Sequence, residues 1–180
     1  QGRKMRFGTV APKGSIPDAV VVCLPGLSEY AEKYFETART CLSMNLSFWV
    51  MDWMGQGKSD RYLKNPHKRH SRRFEKDVDD LHQFVMGYIK HSAVHPDRGR
   101  IPLVMLAHSM GANIGLRYMA KHPTMFECAA MTSPMIAIRA MDKIPMEVSV
   151  AGLLNALMGR SYVLGGSDWR EDFRPAGAPS

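Results

Sequence analysis

Three short aliphatic runs, each released into a Gly- or Pro-containing turn and separated from the next by an amphipathic helix, constrain this chain more than any other feature. Val20-Val21-Val22-Cys23-Leu24 runs into Pro25-Gly26, Ser47-Phe48-Trp49-Val50-Met51-Asp52 into the Gly-rich turn Gly55 to Asp60, and Ile101 to Ala107 into a turn at Ser109. None alternates strictly with polar residues, so each needs cover on both faces, as a parallel strand does. Between Tyr30 and Met44, residues Tyr34, Phe35, Ala38, Cys41 and Leu42 recur at helical spacing. Phe74, Val78, Leu81, Val85, Tyr88 and Ile89 form a second stripe, and a third helix is expected from Ala112 to Lys121, ending at His122-Pro123. Cys128 to Thr132 reads as a short fourth strand. The βαβαβαβ order predicts an α/β protein with a mostly parallel sheet flanked by helices and joined by right-handed crossovers.

Beyond Ser133-Pro134 the texture changes. Met135 to Ala156 is rich in Met, Ala, Leu and Ile, and the closing residues hold Gly165-Gly166 and Arg174-Pro175-Ala176-Gly177-Ala178-Pro179. The expected organisation is an N-terminal part of an α/β core over 1–134, followed over 135–180 by the start of a helical cap whose remainder is absent. With 45% hydrophobic and 23% charged residues, the 180-residue chain suits one substantial core. No apolar stretch approaches the roughly 20 residues that a membrane-spanning helix needs, and no signal-peptide pattern is read at Gln1.

Cys23, Cys41 and Cys128 are an odd number with no CxxC or Cys/His spacing, so neither a disulfide framework nor a metal site is expected, and no cofactor is implied. A reducing, cytoplasmic location is the simplest expectation. The formal charge of +7 owes much to His67-Lys68-Arg69-His70-Ser71-Arg72-Arg73. That run reads first as a solvated loop entering a helix, and second as a site of peripheral contact with an anionic membrane. No nucleic-acid module or interleaved aromatics accompany it, so a nucleic-acid partner is not expected.

The segment with chemical meaning is Ala107-His108-Ser109-Met110-Gly111, which follows a buried strand and opens a helix. A tight strand-to-helix turn lifts a serine hydroxyl out of the sheet, and small residues two before and two after make the turn possible. The helix N-terminus aims its amides and positive dipole end at the same place, which favours an anionic tetrahedral intermediate. The plainer alternative is an ordinary N-cap serine. Leu24-Pro25-Gly26-Leu27-Ser28-Glu29-Tyr30, leaving the first long strand, is placed to complete an oxyanion hole; Leu27 and Met110 are the candidate backbone donors, although Pro25-Gly26 alone reads equally as a plain turn.

Taken in order, Pro25-Gly26-Leu27, Asp52-Trp53-Met54-Gly55-Gln56-Gly57-Lys58-Ser59-Asp60 and Ala107-His108-Ser109-Met110-Gly111-Ala112 resemble the α/β-hydrolase superfamily. Within it the chain is similar to the lysophospholipase L2, monoacylglycerol lipase and serine aminopeptidase group. That group usually reads His-Gly in the first loop and Gly-His-Ser-Met-Gly at the elbow, so Pro25 and Ala107 are departures. The resemblance implies that Ser109 attacks an ester carbonyl while the Leu27 and Met110 amides hold the oxyanion, giving an acyl-enzyme that water then cleaves. It also places a catalytic acid and then a histidine after the cap. No histidine follows His122, and neither His108 nor His122 is expected to reach the serine, so the chain alone is expected to be inactive or nearly so. Asp52 and Asp60 are read as shaping the Gly-rich turn, and His67 and His70 as solvated.

Three functions follow from these features. The first is a lysophospholipase or monoacylglycerol lipase, with Met131, Met135, Met141, Met146 and Met158 offering a deformable acyl pocket or simply packing a lid. The second is a serine aminopeptidase-like enzyme, for which Asp142, Glu147, Asp168, Glu171 and Asp172 are too scattered to form an evident amine site. The third is a non-catalytic binding protein of hydrolase-like fold. Patterning sets neither the oligomeric state nor the acyl-chain length.

Overall fold

The computed structural model describes residues 2–70, 73–97, 99–136 and Asp168. The expected cap start therefore lies almost wholly outside the described residues, together with Met141, Asp142, Met146, Glu147, Met158, Glu171 and Asp172. The core is a sheet of five strands in the order β1-β3-β2-β6-β7. These are β1 (Phe7–Val10), β2 (Ala19–Leu24), β3 (Leu46–Met51), β6 (Leu103–His108) and β7 (Cys128–Thr132). β2 pairs in parallel with β3 and β6, and β6 in parallel with β7.

The unbroken aliphatic run of β2 follows from its central place. Val20, Val22 and Leu24 point into one cluster with Leu81, Val85, Ile114 and Tyr118. Val21 and Cys23 point into the other, with Ala31, Cys41, Phe48 and Val50. Alternate residues thus meet helices on opposite faces. Burying Val22 and Leu24, both at 0% exposure, stabilises by roughly 1.5–3 kcal/mol each, which fixes the end of β2 from which the first functional loop departs.

Helix α1 (Phe35–Ser43), entered through a 3₁₀ turn at Ala31–Tyr34, covers the smaller cluster. Helices α2 (Phe74–Phe84) and α4 (Met110–Lys121) cover the larger one. α2 does not run on as one α-helix to Ile89: it passes through a π-helical turn (Val85–Ile89) into the short α3 (Lys90–Ser92). The strand expected from Ile101 starts at Leu103, because Pro102 has no N–H to donate to the ladder. Its carbonyl still accepts the Val20 N–H at 2.9 Å.

Two features depart from the sequence reading. β1 pairs antiparallel with β3, Phe7 opposite Met51 and Val10 opposite Phe48, so the sheet is mixed at that edge. A small hairpin of β4 (Val94–His95) and β5 (Gly99–Arg100) stands where a plain loop is expected. Both strands of the hairpin are two residues long, and β1 carries Gly8 in only four residues, too little for a period-2 signal. Tertiary packing supplies what the pattern lacks, for the Phe7 ring sits 4.9 Å from Tyr88, 5.3 Å from Phe84 and 5.8 Å from Trp49.

Candidate active site

β6 ends at His108 and α4 begins at Met110, leaving Ser109 as the single residue of the turn. Its backbone sits at φ 49°, ψ −114°, a conformation that costs a non-glycine residue about 1–3 kcal/mol. The surroundings hold it there. Ser109 N–H donates to Thr132 O at 3.0 Å, and its carbonyl accepts from Ala112 at 3.1 Å, Asn113 at 3.3 Å and Met135 at 3.1 Å. Gly111 is required for a separate reason: a Cβ there would overlap the Leu24 and Pro25 carbonyl oxygens, so α4 starts directly on the backbone at the end of β2. Ala107 is buried in the larger cluster and pairs with Leu24 and Met131, so the additional methyl group at this position is absorbed by the core. Ser109 occupies the N-cap position of α4, yet its side chain caps no amide. The ordinary N-cap alternative therefore does not describe it.

The loop after β2 comes to the same spot. A Cβ on Gly26 would lie 3.3 Å from the Ser109 Cβ and 3.0 Å from the His108 ring. Most of the polar backbone groups in this loop are engaged. Gly26 N–H donates to Glu29 Oε2 at 2.6 Å, Ser28 N–H to Gln56 Oε1 at 3.0 Å, and Glu29 N–H to Gly26 O at 3.4 Å. Trp53 Nε1 donates to Pro25 O at 2.7 Å, and Gln56 Nε2 to Gly26 O at 2.9 Å and Glu29 O at 3.0 Å. Among the described residues, neither the Leu27 nor the Met110 amide donates a hydrogen bond. Leu27 is 55% exposed. Burial pushes the Glu29 carboxyl up, but hydrogen bonds from Tyr34 and Gly26 outweigh it and leave the group below its usual range.

The Gly-rich segment after β3 is the scaffold behind that loop. Asp52, at 0% exposure, accepts from Ala31 N–H at 2.8 Å through one oxygen, and from Lys58 N–H at 2.8 Å and Arg6 Nε at 2.6 Å through the other. Gly57 sits at φ 49° against the Asp52 carboxylate, where any Cβ would collide. Arg6 also forks onto Glu32, with both contacts at 2.7 Å. The Arg6 hydrogen bond is the main reason the Glu32 carboxyl falls to about 2, against burial that raises it. Asp60 accepts from Lys4 N–H at 2.7 Å. The turn-shaping part read for Asp52 and Asp60 thus extends to tying the N-terminal segment, α1 and the Gly-rich loop together. Arg6 and Gln56 carry no sequence signal of this, since their partners are 46 and 28 residues away.

The two histidines at the ends of α4 are engaged away from the serine. His108 Nδ1 lies 2.8 Å from Thr132 Oγ1. His122 stacks on His82 at 4.3 Å, and burial lowers its affinity for a proton. In the basic run, Arg69 is not solvated: its guanidinium is mostly buried 3.5 Å from Asp77, and its stem packs on Gly55. Asp168 is exposed and accepts from Asn65 Nδ2 at 2.7 Å.

A family model described as "Serine aminopeptidase, S33" matches residues 15–175. Lysophospholipase L2 of Escherichia coli (strain K12) is 33% identical over 155 residues, 85% of this chain and 44% of that protein. Monoglyceride lipase of Homo sapiens is 26% identical over 148 residues, 82% of this chain and 45% of that protein. This chain spans less than half the length of these two relatives. Among solved structures, a soluble variant of monoglyceride lipase from Saccharomyces cerevisiae in complex with a substrate analog matches with TM-score 0.70 at 23% identity, covering 93% of this chain and 54% of that one. Monoacylglycerol lipase of Paleococcus ferrophilus matches with TM-score 0.64 at 19% identity, covering 87% and 52%. At such identities the structures speak for the fold, and the family match speaks for descent: it runs across both loops and the elbow, and the chain belongs to the serine aminopeptidase S33 family, with the α/β-hydrolase fold.

Proposed function

We propose that the whole protein is a serine hydrolase of carboxylic esters, with Ser109 as nucleophile and the Leu27 and Met110 amides as oxyanion donors. One observation carries the reading: among the described residues, Ser109 is held at positive φ with its hydroxyl capping no helix amide, beside a loop in which Leu27 alone, of Gly26 to Glu29, has an unengaged N–H. Ser109 Oγ attacks the carbonyl, the two amides take the developing negative charge, the alcohol leaves, and water cleaves the acyl-enzyme. Each well-placed oxyanion donor is worth about 10²–10³ in kcat.

The proton leaving Oγ needs a base. His108 faces Thr132, His122 stacks on His82, and no histidine follows His122. In the order that the family resemblance implies, a catalytic acid and then the histidine base follow the cap, so both are proposed to lie outside this chain, which by itself is expected to retain little turnover. Lysophospholipids and monoacylglycerols are the proposed substrates, supported by the names of the relatives. Peripheral contact with an anionic membrane through the basic run belongs to the same proposal.

The test is a substrate panel on the full-length protein and its Ser109→Ala variant, using lysophosphatidylcholine, monooleoylglycerol and an aminoacyl p-nitroanilide. Fatty-acid release from the two lipids, abolished by Ser109→Ala, is the expected result. Serine-dependent release of nitroaniline alone turns the assignment to a peptidase, and no turnover of any of the three favours the non-catalytic binding protein.

A further inference from the structure

We infer that Gln56 is a positioning residue for the oxyanion site: its side-chain amide sets the conformation of the Gly26–Glu29 loop that presents the Leu27 N–H. The inference rests on the part given to Leu27 in the proposed function. Gln56 is 4% exposed, and all three of its side-chain hydrogen bonds go into this one loop. Oε1 accepts from Ser28 N–H at 3.0 Å, and Nε2 donates to Gly26 O at 2.9 Å and Glu29 O at 3.0 Å. Leu27 is thereby bracketed on both sides while its own amide stays unengaged. Ser28 sits at φ 60°, a strained position for a non-glycine residue that persists only where the surroundings impose it.

The clamp is itself fixed. Gln56 N–H donates to Trp53 O at 2.9 Å, and its carbonyl accepts from Ser59 N–H and Arg61 Nη1, both at 3.1 Å. The chemistry singles out an amide here, because the loop offers one donor and two acceptors. Glutamate presents acceptors only, and methionine offers no donor. Since the Gly26 backbone already packs against Ser109, a loop released from Gln56 changes the spacing between the Leu27 N–H and the serine. Oxyanion donors act at 2.7–3.1 Å, and a misplacement of about 1 Å costs on the order of 10²-fold.

The experiment compares Gln56→Met and Gln56→Glu with wild type in the full-length protein. A fluorophosphonate titrates active sites, so rates refer to folded enzyme only. Hydrolysis of p-nitrophenyl butyrate is expected to lose kcat by about 10- to 100-fold with KM within about twofold. Inhibition by an alkyl boronic acid, which forms a tetrahedral anion on the serine, should weaken in proportion to kcat/KM. A purely structural part for Gln56 moves the titrated fraction and the melting temperature but not these ratios, and that result overturns the inference. So does a per-site kcat within twofold of wild type in whichever variant folds. If wild type itself takes no fluorophosphonate, the hydrolase assignment falls first and this inference with it; a labelled wild type with unaffected Gln56 variants overturns this inference alone.

Discussion

The same substitution made twice in α4, Gly111→Ala and Gly115→Ala, should have very different costs. In a helix interior the change from Gly to Ala is worth roughly 1 kcal/mol in favour of folding, so any penalty must come from what the new Cβ meets. At Gly111 it meets the carbonyl oxygens of Leu24 and Pro25. Those are main-chain atoms of the last residue of β2 and the one after it, which cannot swing aside as a side chain can, and relief requires α4 to lift off the sheet. Overpacking costs about 1–3 kcal/mol, and two backbone contacts put Gly111 at the upper end, which the helix-propensity gain reduces to a net loss of about 2 kcal/mol. At Gly115 the Cβ meets the Met105 sulfur at 2.5 Å and Leu24 Cδ1 at 3.2 Å. A thioether on three rotatable bonds can give way, so the helix-propensity gain roughly cancels a penalty of about 1 kcal/mol. The difference of about 2 kcal/mol corresponds to about 4–8 °C in melting temperature for a protein of 150–250 residues. Urea titration followed by circular dichroism reads it directly. Equal costs, or a larger one at Gly115, would refute the claim that backbone contact at Gly111 seats the elbow on β2.

Asp52→Ala leaves the buried Ala31 and Lys58 amides and part of the Arg6 fork unpartnered, and breaking a buried pair of this kind costs about 3–5 kcal/mol, measurable in the same titration. Glu32 titrates at about 2 in the folded chain against an ordinary 4.5. A depressed carboxyl contributes stability that is complete above 4.5 and lost as pH falls toward 2, so Glu32→Gln should flatten the acid limb of stability between those values; an unchanged limb would show that the Arg6 fork does not hold in solution.

How much of this was legible in the sequence differs by kind of signal. β2, β3 and β6 announce themselves because both their faces are buried, and the two apolar stripes bury Cys41, Val78, Leu81, Val85 and Ile89 as read, while Phe35 and Tyr88 of the same stripes stay exposed. The turn at Ser109 is legible because strand, small residues and helix follow in order. The segment Asp52 to Asp60 is recognisable as a motif, but its work is not: Gln56 and Trp53 act on Gly26 and Pro25, contacts of high sequence separation that no local period encodes. Arg6 is hidden for the same reason, and β1 because four residues with a glycine carry no alternation. Arg69 reads as a solvated charge because composition cannot show that Asp77 waits beside it.

The central claim is that Ser109 is an activated nucleophile. Its most direct test is to treat the full-length protein and its Ser109→Ala variant with a fluorophosphonate, digest them, and locate the adduct by mass spectrometry. A single adduct is expected on the peptide containing Ala107-His108-Ser109-Met110-Gly111, absent from the variant; an adduct on another residue, or no adduct on a folded protein, would show that Ser109 is not the nucleophile.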